Sequence, residues 1–241
     1  MLGRTHATSG AVAFLAALPV LTWADDSHGP VTVAVGALTA AGGAMLPDLD
    51  HPQATIARSL GPVTRLLSEV VARLSGGHRQ GTHSIAGVAA FTLFTWLLTL
   101  AQDSDLGRLV LGLWLTLLFV VGSAVLHVPM PRPLRLGIGA AVALLLLSAA
   151  AQHAFRTDVV VWAVAIGSAA HIVGDLLTRE GCPLLWPVSR RRQRLMTLKT
   201  SGWTERLVVG PGLALVALTL AIRQAGGGDS MWTALIGLVT P

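Results

Sequence analysis

Seven apolar runs divide the chain, at 7–23, 31–46, 84–101, 107–127, 134–152, 159–178 and 206–222. Most are long enough to cross a hydrocarbon layer of roughly 30 Å as a helix that rises about 1.5 Å per residue. Inside lipid a backbone must satisfy its own N–H and C=O groups, so a run of this kind has to be helical. The expected fold is all-α: a polytopic transmembrane bundle of six or seven spans with a short interfacial helix. Only 12% of the residues are charged, about half the share of an ordinary soluble domain, and the mean hydropathy is +0.67. The first two runs are short or rich in glycine, which allows tilting. The last apolar stretch, Met231–Pro241, is too short for a normal span and suits an interfacial position. With no period repeat, residues 1–241 read as a single membrane-embedded domain. The opening residues look superficially like a signal peptide, but further spans follow at once, so retention is expected.

Charge sets the orientation. With residues 1–6 in the cytoplasm and seven crossings threaded in order, Arg58, Arg65, Arg73, Arg132, Arg135, the Arg190–Arg194 cluster and Lys199 all fall inside. Only Arg108, Arg156 and Arg223 fall outside. This is a strong positive-inside bias. The net charge of +5 therefore reads as topology and contact with anionic headgroups. The basic residues lack interleaved aromatics, which disfavours nucleic acid as a partner. Segment 179–205 becomes a basic cytoplasmic loop, and 47–83 a cytoplasmic interfacial and active-site segment. Within the latter, ATIARSLGPVTRLLSEVVARLSGG carries apolar residues at helical spacing and ends at Gly76–Gly77, as an amphipathic surface helix would.

The same threading brings the chemistry-bearing residues to one face. His6 precedes the first run, and Asp48, Asp50 and His51 follow the second. His78, Arg79 and His83 precede the third, while His171 and Asp175 close the sixth. Positions i and i+4 share a helix face, so His171 and Asp175 can grip one ion. Imidazoles and carboxylates are costly at a membrane bundle unless something uses them. Mixed carboxylate and imidazole donors suit Zn2+ best, with Mn2+, Fe2+ or Mg2+ possible. The metal candidates are His6, Asp48, Asp50, His83, His171 and Asp175, arranged for two or three ions. His51 and His78 are candidates for proton exchange, and Arg79 for clamping a phosphate oxygen. Thr82 or Ser84 suits a helix cap, as Thr178 suits a bond back into its own helix. His28 and His153 fall near the opposite face and His127 stands apart. Ser84 lacks a G-x-S-x-G context, so a serine hydrolase is disfavoured. A single cysteine, Cys182, excludes an internal disulfide and a CxxC redox pair.

Taken in order, THATSG with His6, LPDLDHP, HRQGTHS and HIVGDLLTREGCPLLWP span residues 5–187. In these motifs the chain resembles the YdjM-like inner-membrane proteins, a bacterial family described as metal-dependent hydrolases. That family in turn looks distantly like the zinc-dependent phospholipase C and nuclease P1 group. The resemblance implies a metal cluster that hydrolyses phosphoesters. It carries metal roles onto His6, Asp48, His83, His171 and Asp175, with Asp50, His51 and His78 as further candidates. The leading expectation is a hydrolase acting on a phosphorylated small molecule or lipid, such as a phospholipid or isoprenoid phosphate, at the cytoplasmic leaflet. A divalent-metal or proton transporter and a noncatalytic metal-stabilised scaffold are the alternatives. Oligomeric state is left open.

Overall fold

A computed structural model describes residues 1–21, 30–151 and 156–224. His28, His153 and the stretch Met231–Pro241 lie outside the described residues. Among the described residues eight α-helices follow in chain order: α1 Gly3–Leu21, α2 Pro30–Gly43, α3 Pro62–Leu74, α4 Ile85–Leu100, α5 Asp105–Val125, α6 Arg132–Ala151, α7 Asp158–Leu176 and α8 Gly210–Ile222. Among the described residues there is no β-strand, only isolated bridges from Thr178 to Leu198 and from Cys182 to Gln193. The all-helical expectation holds.

Among the described residues five stretches are long and apolar enough to cross a membrane: Thr32–Asp50, Asp105–Val125, Arg132–Ala149, Asp158–Leu176 and Glu205–Ile222. α4 is a shorter apolar helix. α1 runs for 19 residues, but Arg4, Thr5, His6, Thr8 and Ser9 make its opening turns polar. It buries Ala7, Ala11, Phe14, Leu15 and Leu18 along one stripe, the spacing of a helix docked into a core.

α2 lies at the centre, packed against α1, α5 and α7. Its sequence, PVTVAVGALTAAGG, explains the position. A Cβ on Gly42 would collide with the Leu118 carbonyl of α5, and one on Gly167 of α7 with the Ala40 carbonyl of α2. Lipid offers no hydrophobic drive between helices, so such close backbone packing is a main source of association. Ala7, Ala41, Leu46, Trp114, Leu118 and Val164 form the principal core. A second cluster, with Leu111, Leu115, Leu146, Leu147 and Val160, joins α5, α6 and α7. α8 buries none of its side chains, and Leu215 and Leu218 are 66% and 59% exposed, the signature of a lipid-facing span.

Two connections matter for the site. Between α2 and α4 the chain makes 3-10 turns at Pro47–Asp50, Ile56–Arg58 and Gly81–His83, with α3 between the last two. The sequence favours one helix through this region, yet it breaks at Gly61, whose φ of +68° places it in the left-handed range. Pro62 then opens α3 at its first position, where a missing N–H costs nothing. Gly76 and Gly77, with φ of +81° and +104°, end α3 as expected. After α7, the loop folds back on this segment. The Leu184 carbonyl accepts from the Ile85 N–H at 3.1 Å, and the Trp186 ring lies against Gly81.

Candidate metal centre

Four helix ends converge. α1 supplies His6 from its second turn, the turn after α2 supplies Asp48 and Asp50, and the turn before α4 supplies His83. The last turns of α7 supply His171 and Asp175. His6, Asp50, His83, His171 and Asp175 are at most 2% exposed, and the Asp48 side chain is 22% exposed. Residues far apart in sequence thus meet at one end of the bundle. Arg132, at the start of α6, belongs to the same end: its guanidinium donates to the carbonyls of Arg58 and Ser59 at 3.2 and 3.3 Å.

The polar atoms crowd together. His6 Nε2 lies 3.3 Å from Asp175 Oδ1. Asp175 Oδ2 lies 3.7 Å from both His171 Nε2 and His83 Nε2. Asp48 Oδ1 lies 3.6 Å from His83 Nε2 and 3.9 Å from His171 Nε2. The rings of His6 and His171 stack with centroids 3.7 Å apart. These separations are mostly too long for hydrogen bonds. The 3.3 and 3.6 Å separations match the edge of a tetrahedron around a metal bonded at 2.0–2.2 Å, which is about 3.3–3.6 Å, and the 3.7–3.9 Å ones exceed it slightly. Two donor sets, His6–His171–Asp175 and Asp48–His83–His171, each hold their ligand atoms within 4.8 Å of one another, close enough to share one ion.

Outer contacts fix which nitrogens are free. His171 Nδ1 lies 2.6 Å from the Ala44 carbonyl oxygen. A carbonyl only accepts, so Nδ1 carries the hydrogen and Nε2 presents its lone pair. For His83 the chain of donors is longer. The Thr82 hydroxyl donates to Asp50 Oδ2 at 2.6 Å. Its oxygen is then left to accept from His83 Nδ1 at 3.0 Å. His83 Nε2 is then the nitrogen that faces the cluster, and it offers a lone pair once a metal displaces its proton. His83 Nε2 and Asp175 Oδ2 are buried with no hydrogen-bond partner among the described residues. An unpaired buried carboxylate oxygen costs several kcal/mol. Two such atoms facing each other are what a cation would satisfy. Burial by itself disfavours charge on His83, but the neighbouring Asp48 and Asp50 outweigh it and raise its pKa from 6.5 to about 9.

The other candidates take outer positions. Asp50 accepts from the backbone N–H of Arg79 at 2.9 Å, contacts His78 Nδ1 at 2.8 Å and accepts from Thr82. Both of its oxygens are used, so Asp50 stands behind His83 as an organiser. Arg79 adopts φ +58°, a left-handed conformation that costs a non-glycine residue about 1–2 kcal/mol. The Asp50 bond holds it there, and its guanidinium lies 3.9 Å from Asp175 Oδ2. His78 is 41% exposed at the rim, with the His51 ring centroid 4.6 Å away. His127 bonds the Val125 carbonyl at 2.9 Å, apart from the cluster.

Supporting features, some expected from sequence and some not, complete the site. Ser84 is the α4 cap, accepting from the Gly87 N–H at 3.2 Å, so His83 is free to face the cluster. Thr82, one of the two residues suited to capping, instead links Asp50 to His83. The Ala44 carbonyl is a backbone group with no sequence signal. Gly174 clears space for His6, since a Cβ there would sit 2.9 Å from His6 Nδ1. The Thr178 hydroxyl bonds the Asp175 carbonyl at 2.8 Å, as its spacing suggests. The amino group of Met1 reaches Asp175 Oδ1 at 3.3 Å. Cys182 is fully buried, and burial, aided by the charge of Asp175, pushes its thiol up to about 12.

A model of the YdjM inner membrane protein family matches residues 1–130 and 137–240, nearly the whole chain. The chain belongs to that family. It is accordingly a member of a group of inner membrane proteins, with a buried His/Asp cluster able to hold a metal ion. Among curated proteins and solved structures nothing matches, so the expected likeness to phospholipase C and nuclease P1 finds no support there.

Proposed function

We propose that this family member is a metal-dependent phosphoester hydrolase whose site faces the cytoplasmic leaflet, with a phospholipid, an isoprenoid phosphate or a related phosphorylated molecule as substrate. The observation that carries the reading is the pair of buried atoms that no hydrogen bond satisfies, His83 Nε2 and Asp175 Oδ2, beside a rim of groups suited to phosphoryl chemistry. His6, Asp48, His83, His171 and Asp175 would hold the metal. Both candidate donor sets include His171, which has one free nitrogen, so these residues would hold one or two ions better than three. Zn2+ fits the mixed donors best, with Mn2+, Fe2+ or Mg2+ as competitors. A bound ion of this kind lowers the pKa of water and polarises a phosphoryl oxygen.

The chain's own residues supply the rest. The five donors would fix position and charge, and the tautomers of His171 and His83 are set in advance by the Ala44 carbonyl and Thr82. Arg79, 20% exposed, offers a fork of donors to phosphate oxygens. Asp50 holds His78 through Nδ1, which leaves Nε2 at the rim to carry a proton to or from the leaving oxygen. The loop that packs Trp186 on Gly81 keeps the His78–Arg79 segment in place. Arg179, Arg191, Arg192 and Arg194 line an open groove of about 640 Å3 together with Glu180, which pairs with Arg192 at 3.6 Å, and the groove's net positive charge suits an anionic headgroup.

The near-complete burial of the donors favours one other reading, a metal held only for stability. A transporter is disfavoured because the donors gather at one end of the bundle rather than at mid-depth. Purified protein in lipid, screened against phospholipids, isoprenoid phosphates and simple phosphoesters with Zn2+, Mn2+ or Mg2+, separates these readings. Hydrolysis that requires metal and is lost in Asp48→Ala and His83→Ala supports the enzyme. Bound metal without turnover across the panel supports the structural role, and metal-dependent flux into vesicles supports transport.

A further inference from the structure

α3 is built inside out. The two residues it buries are small and polar: Thr64 is 1% exposed and Ser68 is 0% exposed. The Thr64 hydroxyl accepts from the Leu60 N–H at 3.1 Å and fixes the helix to the preceding turn. The large apolar residues face away: Val63, Leu66, Leu67, Val70 and Leu74 are 69%, 62%, 36%, 39% and 77% exposed. A helix on an aqueous surface shows the reverse pattern. Nor can α3 be a span, because its 13 residues reach only about 20 Å.

At about 100° per residue, three stripes emerge. Thr64, Ser68 and Val71 lie against the protein. Val63, Leu66, Leu67, Val70 and Leu74 form the middle stripe. Arg65, Glu69 and Arg73 form the third, with Glu69 and Arg73 paired at 3.6 Å. A helix lying flat beside a membrane bundle has these three neighbours: protein on one flank, acyl chains below and headgroups on the other flank. The charge fits the same occupant. Arg58, Arg65, Arg73 and Arg132 surround the helix against one acid, Glu69, and all four arginines are exposed.

We propose that α3 lies immersed in the interfacial layer of an anionic leaflet, with its Leu66–Val70–Leu74 stripe among the acyl chains and Arg65 and Arg73 among lipid phosphates. α3 packs on the turns that carry Asp48 and Asp50, and His78 and Arg79 follow its C-terminus. The docked helix therefore brings the rim of the metal centre to headgroup depth. This holds whether or not the cluster hydrolyses anything.

Spin labels on the full-length protein in lipid nanodiscs test the placement. Leu66→Cys, Val70→Cys and Glu69→Cys are labelled one at a time, while native Cys182 is buried and unreactive. In discs containing phosphatidylglycerol, labels at 66 and 70 should be relaxed several-fold more by oxygen than by a water-soluble nickel chelate, with the reverse at 69. Adding Arg65→Gln and Arg73→Gln should make the label at 66 several-fold more open to the chelate. A label at 66 relaxed mainly by the chelate would overturn the proposal, because α3 would then be a solvated connector. One shielded from both reagents would also overturn it, because a second protein surface would then cover the stripe. Unchanged accessibility at 66 in the double-arginine variant, or in discs of phosphatidylcholine alone, would overturn the anionic-lipid assignment.

Discussion

His171 Nδ1 lies 2.6 Å from the carbonyl oxygen of Ala44, a residue on the far side of the α2–α7 contact. One backbone carbonyl thereby decides that Nε2 points, unprotonated, toward Asp48 and Asp175. The glycine packing that lets α2 and α7 approach closely is thus also what sets the donor geometry. Fold and site depend on the same helix contact.

Replacing Gly167 with alanine should test that dependence, and Gly42→Ala tests the adjoining α2–α5 contact. Either Cβ would strike a carbonyl of the neighbouring helix, and overpacking of this kind costs about 1–3 kcal/mol. Thermal unfolding in detergent should show a lower Tm for both variants, and metal affinity should fall with it. An unchanged Tm would mean that the helices separate at no cost.

Thr82 should act through His83 rather than by contact with the metal. Thr82→Val keeps the shape but removes the hydroxyl between Asp50 and His83 Nδ1. Metal affinity should drop about 10–100-fold, the usual effect of losing an outer-shell partner. Thr82→Ser should restore most of it. Calorimetric titration with Zn2+ provides the measurement, and equal affinity in the valine variant would remove the relay.

The raised pKa of His83 gives a pH dependence with a definite sign. In metal-free protein, protonated His83 stabilises the fold fully below its unfolded value of 6.5, and this contribution is lost as pH rises through about 9. The Tm of metal-free protein should therefore fall between these limits. Metal competes with that proton, so Zn2+ affinity should rise over the same window. Loaded protein should show little of the fall. A metal-free Tm that climbs with pH would contradict the assignment.

Orientation is open to direct labelling. Arg191→Cys, in the basic loop, should react from the cytoplasm, and Asp105→Cys, at the start of α5, only from the opposite side. Cys182 is buried and leaves the background low. The reverse pattern would invert the threading.

Much of this was legible in the sequence because lipid imposes a simple rule. Helix ends fall within a few residues of the apolar runs: 159–178 became α7 Asp158–Leu176, and 107–127 became α5 Asp105–Val125. One-sided clustering followed from threading alone, since each His/Asp motif sits at a run boundary. Roles inside the cluster were less visible. Asp48 and Asp50 look alike in LPDLDHP, yet a 3-10 turn aims Asp48 at the metal donors and Asp50 at Thr82, His78 and Arg79. That division depends on φ and ψ over a few residues, which composition does not encode. His6 was placed before its span, whereas α1 already includes it. The outward apolar stripe of α3 was half visible: its period could be read, but not that threonine and serine would face the protein.

Metal content under metal-controlled conditions tests the central claim most directly. Wild-type protein and the His171→Ala/Asp175→Ala double variant would be purified identically, matched for helicity and elution, and assayed by plasma mass spectrometry. The account predicts a stoichiometric transition metal, Zn2+ foremost, in the wild type and its loss in the double variant. Equal metal in both proteins, or none in a wild type offered Zn2+, Mn2+ and Fe2+, would contradict it.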